Sequence, residues 1–338
     1  MSGLPKISIC IPTFNRSDLL RKTLISVSKQ TAIPYEVIIV DNCSDDNTED
    51  VAKDFPAFKY YKNNTNLGMI GNWNRCIDLA SGHFLSILHS DDLISPHWYE
   101  DWQFLIDKYN RDTIGAYFSA VFIIDTEENT RVIYKVFSKD TLLKSAQSFK
   151  ALWLRNMCAL PASAALIYRK TIFDMLGKFD SSWSTEADIA FALKIINRFD
   201  LFYTPKLLFA YRIHPFQAFD LQKQTKSLEK RRNVLLSHLK VIKDFYNGEL
   251  KPEYRSPYFY KRIIYMYMTV AIFHFLTFKS KAGEKYFEFI RQVYPDLHFS
   301  FWDYFLLLTV IFHYIYKLLW GKVISLPIKR ITKDWIKS

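Results

Sequence analysis

Cysteine is scarce in this chain, and the four residues present, Cys10, Cys43, Cys76 and Cys158, are widely spaced. They fit no metal-binding or redox motif, which points to buried or free thiols in a reducing compartment. No GxGxxG occurs, so a dinucleotide-binding dehydrogenase is poorly supported, and no GxxxxGK(S/T) occurs, which excludes a P-loop. The opening Met1-Ser2-Gly3-Leu4-Pro5 lacks the charged and apolar regions of a secretory leader, which favours the cytoplasm. No internal repeat and no low-complexity tract interrupts the chain. Long apolar runs are also missing. The charge-free stretches 263–278 and 304–316 are the nearest approach, and the second would form a helix of about 20 Å against a bilayer core of about 30 Å.

What is abundant is unevenly placed. Residues 1–220 carry 24 Lys and Arg against 25 Asp and Glu, whereas residues 221–338 carry 21 against 9, so the whole excess of +11 lies in the last third. Aromatic residues make up 17% of the chain, which demands a large core or an apolar surface. Lys261, Arg262, Lys279 and Lys281 flank the first charge-free run, and Lys317, Lys322, Lys329 and Arg330 follow the second. Trp302, Trp320 and Trp335 are residues suited to an interface. Helices of this kind are expected either to lie on an anionic leaflet or to pack on the preceding domain. No RNA-recognition, helix-turn-helix or zinc-finger pattern accompanies the basic segment, so nucleic acid is not the expected partner.

The first 220 residues alternate short apolar runs with amphipathic stretches. Strands are predicted at 6–11, 35–40, 58–61 and 84–88, separated by helices over 18–29, 49–54 and 69–80, with Ser17 and Thr48 as candidate caps. This β-α-β-α-β-α-β order implies an α/β fold with a parallel, Rossmann-like half. A helix from Ser95-Pro96 to about 109, strands at 115–124, 131–137, 164–168 and 201–211, and helices near 146–156 and after Thr185 complete the pattern. Beyond 220 the chain reads as helical. The run Phe84-Leu85-Ser86-Ile87-Leu88-His89-Ser90-Asp91-Asp92 stands out, because a buried strand leads straight into two adjacent carboxylates. Paired acids at a strand end need a cation, a hydroxyl or backbone N–H groups to remain ionised. That end of an open α/β sheet is where ligands bind.

Four strand-end motifs carry a resemblance: Ile11-Pro12-Thr13-Phe14-Asn15-Arg16, Val40-Asp41-Asn42-Cys43-Ser44-Asp45-Asp46-Asn47-Thr48, Asn66-Leu67-Gly68, and Leu88-His89-Ser90-Asp91-Asp92. In this order they resemble the family 2 nucleotide-sugar glycosyltransferases, inverting enzymes with a GT-A fold, over roughly residues 6–217. The resemblance implies a mostly parallel central sheet with helices on both faces. It also implies a catalytic domain over residues 1–220 followed by a basic helical region over 221–338. Pro12, Thr13, Phe14 and Asn15 match the loop around the nucleobase and ribose, and Asp41 matches the acid that accepts a hydrogen bond from the base. Asn66, Gly68 and Asn74 match the segment flanking the nucleotide. Ser90 and Asp91 match the end of the Asp-x-Asp signature, whose second acid binds Mg²⁺ or Mn²⁺ on the sugar diphosphate, and Asp92 follows it.

The signature's first acid is His89 here. Imidazole is a poor ligand for Mg²⁺ and an acceptable one for Mn²⁺, which leaves Asp91 as the main metal candidate. A second reading, a nucleotide-sugar-binding or membrane-scaffolding protein of the same fold, follows from the same substitution. Inverting transfer needs a general base on the acceptor hydroxyl. Asp188 matches the family's carboxylate at a helix start, and Glu186 is the alternative. Two acids there would equally complement a helix dipole. His214, in Tyr211-Arg212-Ile213-His214-Pro215, resembles a loop that closes over the diphosphate. The implied partners are a nucleotide-diphosphate sugar donor, a glycan or lipid-linked acceptor and an anionic membrane surface. The implied location is peripheral, on the inner face of the plasma membrane.

Overall fold

The computed structural model describes residues 3–145 and 165–214. The predicted helix at 146–156, the thiol of Cys158, the helices beyond 220 and the boundary there lie outside the described residues. Strand β1 (Ile7–Thr13) is buried along its whole length, as its position in the middle of a sheet covered on both sides requires. Then follow α1 (Ser17–Ser28), β2 (Glu36–Asp41), α2 (Thr48–Lys53), β3 (Lys59–Lys62), α3 (Gly68–Leu79) and β4 (Phe84–Ile87). Next come β5 (Leu93–Ile94), α4 (Trp98–Tyr109), β6 (Ile114–Ile124), β7 (Thr130–Tyr134) and β8 (Thr141–Leu143). Last are β9 (Leu166–Arg169), α5 (Ile172–Leu176), a 3-10 turn at Ser181–Glu186, α6 (Ala187–Arg198) and β10 (Asp200–Arg212).

The strands form one ten-stranded sheet in the order β3-β2-β1-β4-β9-β6-β10-β5, with β7 on β6 and β8 on β10. The first four run parallel, as the alternating strands and helices require. Past β4 the sheet becomes mixed: β9 is antiparallel to both β4 and β6, β6 and β10 are parallel, and β5, β7 and β8 are antiparallel to their neighbours. The parallel character implied by the resemblance thus describes the first half. For β7 the reason is local: Asp125–Asn129 is too short a connection for a crossover, so β7 folds back on β6.

Alternation along β1 assigns the helices to faces. Ile7, Ile9 and Ile11 pack with Leu20, Leu24 and Val27 of α1, Val51 of α2 and Trp98, Tyr99 and Trp102 of α4. Cys10, on the other face, donates to the Cys76 carbonyl of α3 at 3.6 Å. An aromatic cluster of Tyr168, Phe173, Phe179 and Phe191 joins β9, α5 and α6, with Trp73 of α3 edge-on to Phe179. Cys10 and Cys76 are buried free thiols and Cys43 is a half-buried one.

One buried acid organises the end of the sheet where β1 and β2 begin. Glu36 Oε1 accepts from Ser8 Oγ at 2.6 Å and from the Ser81 amide at 2.7 Å, while Lys59 Nζ donates to Oε2 at 2.7 Å. Gly82 completes the knot by donating to Ser8 Oγ at 2.9 Å, and a Cβ there would lie 2.7 Å from the Lys6 carbonyl. Burial opposes ionisation of Glu36, but the donors from Lys59, Ser8 and Ser81 outweigh it and hold its carboxyl at about 2, against 4.5 unperturbed. A depressed folded pKa contributes stability that is whole above the unfolded value and is lost as pH falls through the folded one. Glu36→Gln should therefore lower unfolding free energy by roughly 1–3 kcal/mol at pH 7. In urea titrations the deficit should shrink as pH is taken from about 5 towards 2; a deficit independent of pH would refute the assignment.

Candidate functional site

The loops at the carboxyl ends of β1 and β2 are built as one piece. Asn15 adopts a left-handed conformation, with φ of 48°, that turns the chain off β1. Its amide donates to Ser44 Oγ at 2.9 Å, and its own Oδ1 accepts the Asp45 amide at 3.0 Å. Asp46 then caps two helices at once: Oδ2 accepts the Ser17 amide at 2.9 Å, and Oδ1 accepts the Thr48 amide and hydroxyl. Neither Ser17 nor Thr48 supplies the cap expected of it. Each is the first residue of its helix, and one carboxylate faces the positive ends of both. Pro12 and Thr13 are the buried last residues of β1, with Thr13 Oγ1 buried and without a hydrogen-bond partner, whereas Phe14 is exposed.

Asp41 is fully buried, with Oδ1 on the Ser44 amide and Oδ2 on the Tyr60 hydroxyl at 2.6 Å. Burial, and then the hydrogen bond to Asp41, push the Tyr60 hydroxyl well above the usual range, so it remains a donor. Asn42 holds the next loop. Its Nδ2 donates to Asn66 Oδ1 at 2.7 Å and to the Gly68 carbonyl at 3.2 Å, and its Oδ1 accepts the Leu67 amide at 2.8 Å. Gly68, with φ of +74°, supplies the left-handed turn into α3.

Asp91 lies where three strand ends meet. Its Oδ2 accepts from Arg16 Nη1 at 2.7 Å and bonds His214 Nε2 at 3.0 Å. Arg16 comes from the loop after β1 and His214 from the segment after β10. Arg212, the last residue of β10, is fully buried: its Nε donates to the Asp91 carbonyl at 2.8 Å, its amide to Asp92 Oδ1 at 2.9 Å and its Nη2 to Glu128 at 3.0 Å. Burial opposes ionisation of Asp91, but the bond from His214 and then the nearby His89 and Arg16 hold its carboxyl below the usual range. Burial also lowers the His89 pKa, which favours the neutral ring, whereas the Arg16 guanidinium keeps its charge. Burial, then the charge of Asp91, push Asp92 well above the usual carboxylate range. Its Oδ2 is buried without a hydrogen-bond partner.

His89, Asp91 and Asp92 offer ligand atoms that all lie within 4.8 Å of one another. An orphaned carboxylate oxygen beside an ionised one and an imidazole is a donor set that fits a divalent ion, with nitrogen favouring Mn²⁺ over Mg²⁺. Ser90 is buried between them.

Packed rings run from His89 to the segment ahead of α6. Trp73 stacks on His89 at 5.2 Å and meets Phe179 edge-on at 5.4 Å. Asn74 fastens the same segment, its Nδ2 donating to the Phe179 carbonyl at 2.8 Å and its Oδ1 accepting the Phe179 amide at 3.1 Å. The structure thus engages Asn74 in holding the chain ahead of α6. Glu186 is buried and occupies the cap position expected of Thr185; Asp188, half-buried in the first turn, accepts the Ile189 amide at 2.8 Å. Sequence reasoning passed over Arg16, Asn42, Trp73 and Arg212. Arg16 and Arg212 had a signal, since each is a lone cation at the end of an apolar strand.

A model of glycosyl transferase family 2 matches residues 8–176, half of the chain. The chain belongs to this family. It is a transferase, and the loops after β1, β2, β3 and β4 lie in the matched segment, whereas Glu186, Asp188, Arg212 and His214 lie beyond it. It is 28% identical over 197 residues to a PGL/p-HBAD biosynthesis glycosyltransferase of Mycobacterium bovis, covering 56% of this chain and 69% of that one. It is 40% identical over 94 residues to the GalNAc(5)-diNAcBac-PP-undecaprenol beta-1,3-glucosyltransferase of Campylobacter jejuni, covering 26% of this chain and 30% of that one. Among solved structures, S. aureus TarS 1-349 in complex with UDP-GlcNAc matches with a TM-score of 0.57 at 19% identity, covering 85% of this chain and 77% of that one. Against a longer TarS chain the transferase covers 44% of the length, with a TM-score of 0.56. At such identities the structural likeness speaks for the GT-A fold.

Because the buried Arg212 side chain donates to the Glu128 carboxylate and to the carbonyls of Asp91, Asp125 and Thr126, its loss strands one carboxylate and three main-chain groups. Arg212→Met should lower unfolding free energy by about 3–5 kcal/mol, measured by chemical denaturation. A loss under about 1 kcal/mol would show that Arg212 does not hold this corner together.

Proposed function

We propose that this family 2 transferase moves a sugar, with inversion, from a nucleotide-diphosphate donor to a hydroxyl of a glycan or lipid-linked acceptor. The observation that carries the reading is the convergence on Asp91 of the ends of β1, β4 and β10, through Arg16, Asp91 itself, Arg212 and His214. Pro12, Thr13, Phe14, Asn15 and Asp41 lie along the same edge of the sheet as Asp91, in the loops and strand ends where the donor's base and ribose are placed by this reading. Asp91, with Asp92 and His89 beside it, holds a divalent ion, Mn²⁺ in preference to Mg²⁺. When bound, the ion neutralises charge on the departing diphosphate. Asp188 takes the proton of the acceptor hydroxyl as that oxygen approaches the anomeric carbon from the face opposite the diphosphate, with Glu186 as the alternative base.

Support for the acceptor class comes from the relatives, whose names place them in PGL/p-HBAD biosynthesis and on an undecaprenol-linked glycan. Support for a sugar-nucleotide donor comes from the fold shared with TarS, which was solved with UDP-GlcNAc. A panel of nucleoside-diphosphate sugars, assayed for transfer and for slow hydrolysis with and without Mn²⁺, tests the assignment. Asp91→Ala should cost about 10²–10³-fold in rate. Asp188→Asn should cost about 10²–10⁴-fold with donor affinity retained. Full activity in either variant would remove that residue from its role.

The basic, aromatic segment 221–338 is read as a surface for the anionic inner face of the plasma membrane. Among the described residues no helix is long and apolar enough to cross a membrane. The full chain should co-sediment with vesicles containing anionic lipid and not with neutral ones, and binding should weaken as salt rises. Equal binding to both vesicle types would sink this placement.

A further inference from the structure

Asp91 Oδ2 already carries two partners, Arg16 Nη1 at 2.7 Å and His214 Nε2 at 3.0 Å. A carboxylate oxygen has about two lone-pair sites, so both are taken in this arrangement. An ion bound directly to that oxygen would sit at about 2.0–2.2 Å and would face the guanidinium at close range, two cations on one atom. An ion taken by Oδ2 therefore requires one partner to leave. His214 is a short side chain, only 2% exposed, whereas Arg16 is 28% exposed on a long, jointed stem. It also follows directly on Asn15, whose left-handed backbone sets the direction of the loop. Arg16 is therefore the group free to go.

We propose that Arg16 is an exchangeable counter-ion. Without donor it neutralises Asp91. When a divalent ion and a nucleoside diphosphate arrive, it leaves Asp91 Oδ2 to the ion and pairs with the diphosphate. The exchange rests on the reading of Asp91 as the ion and diphosphate site. Its logic is charge balance: an ion added beside an unmoved Arg16 leaves a surplus of positive charge around one ionised carboxylate, and transfer of the guanidinium to the diphosphate removes it. Planar guanidinium geometry suits that new partner, since it bonds phosphate oxygens in pairs. The protein thereby keeps a buried carboxylate compensated in both states. It also makes the ion bind better with the nucleotide than alone, because either ligand by itself must oppose the Arg16–Asp91 pair.

Two binding measurements on the full chain separate this from a purely structural ion pair. Mn²⁺ alone is titrated by paramagnetic resonance into the wild type, Arg16→Ala, Arg16→Lys and the control Arg21→Ala, whose arginine pairs with exposed Asp54. UDP and GDP are then titrated at saturating Mn²⁺, with uridine and guanosine as phosphate-free probes. Arg16→Ala should bind Mn²⁺ alone about five- to tenfold more tightly and the diphosphates about tenfold more weakly, the size of one charge-assisted pair. The nucleosides and the Arg21→Ala control should be unchanged, and Arg16→Lys should lie between. Arg16→Gln, which retains a donor for Asp91, repeats the comparison should thermal melts show that Arg16→Ala fails to fold. Unchanged or weaker Mn²⁺ binding in the Arg16 variants overturns the exchange while leaving the ion site standing. Absence of Mn²⁺ binding in every variant overturns the ion site itself, and the exchange with it.

Discussion

A carboxylate shut off from water persists as a charge only while cations and donors surround it, and Asp91 is such a group. The surrounding groups come from two distant places in the chain: Arg16 from the turn after β1, and His214 and Arg212 from the end of β10, some 120 residues beyond Asp91. The bonds therefore fix one edge of the sheet in a single register. The β10 end cannot drift from the β4 end without exposing or stranding that charge. Glu128, which binds Arg212, brings the β6–β7 turn into the same constraint.

Two buried acids at opposite ends of the sheet show how similar chemistry serves different purposes. Glu36 is saturated: serines, a backbone amide and a lysine satisfy it, and its carboxyl is held at about 2. Nothing further can be gained there by a ligand. The Asp91–Asp92 pair is incomplete: burial and the charge of Asp91 raise Asp92, and its Oδ2 has no hydrogen-bond partner, only His89 Nδ1 at 3.9 Å. An unsatisfied buried oxygen costs stability, and the fold tolerates it at the strand ends where ligands bind in α/β sheets. Saturation thus separates the Glu36 end of the sheet from the end that carries the candidate site.

The loops on the functional edge are rigid because they share hydrogen bonds across chain segments. Asp46 ends two helix starts, and Asn42 holds the Asn66–Gly68 turn through both its amide atoms. Trp73 and Asn74 carry that rigidity into the segment leading to Glu186 and Asp188. The site is thus assembled from short turns bonded to one another.

Much of this was legible in the residues alone. Apolar runs of strand length, amphipathic stretches between them and a polar motif at each strand end determined the α/β class and the parallel first half, and drew attention to the Asp91–Asp92 pair, because these depend on local periodicity and residue chemistry. The antiparallel return of β9 between β4 and β6 was not legible, since strand order is set by long-range pairing. The same holds for the helix caps: Ser17 and Thr48 were the sensible local candidates, but Asp46 could reach both helix starts only once the loops had been brought together. The sequence by itself determined which residues can carry charge at strand ends. Only the tertiary structure decided that Arg16 and His214 share one oxygen of Asp91, because that depends on where distant strand ends meet.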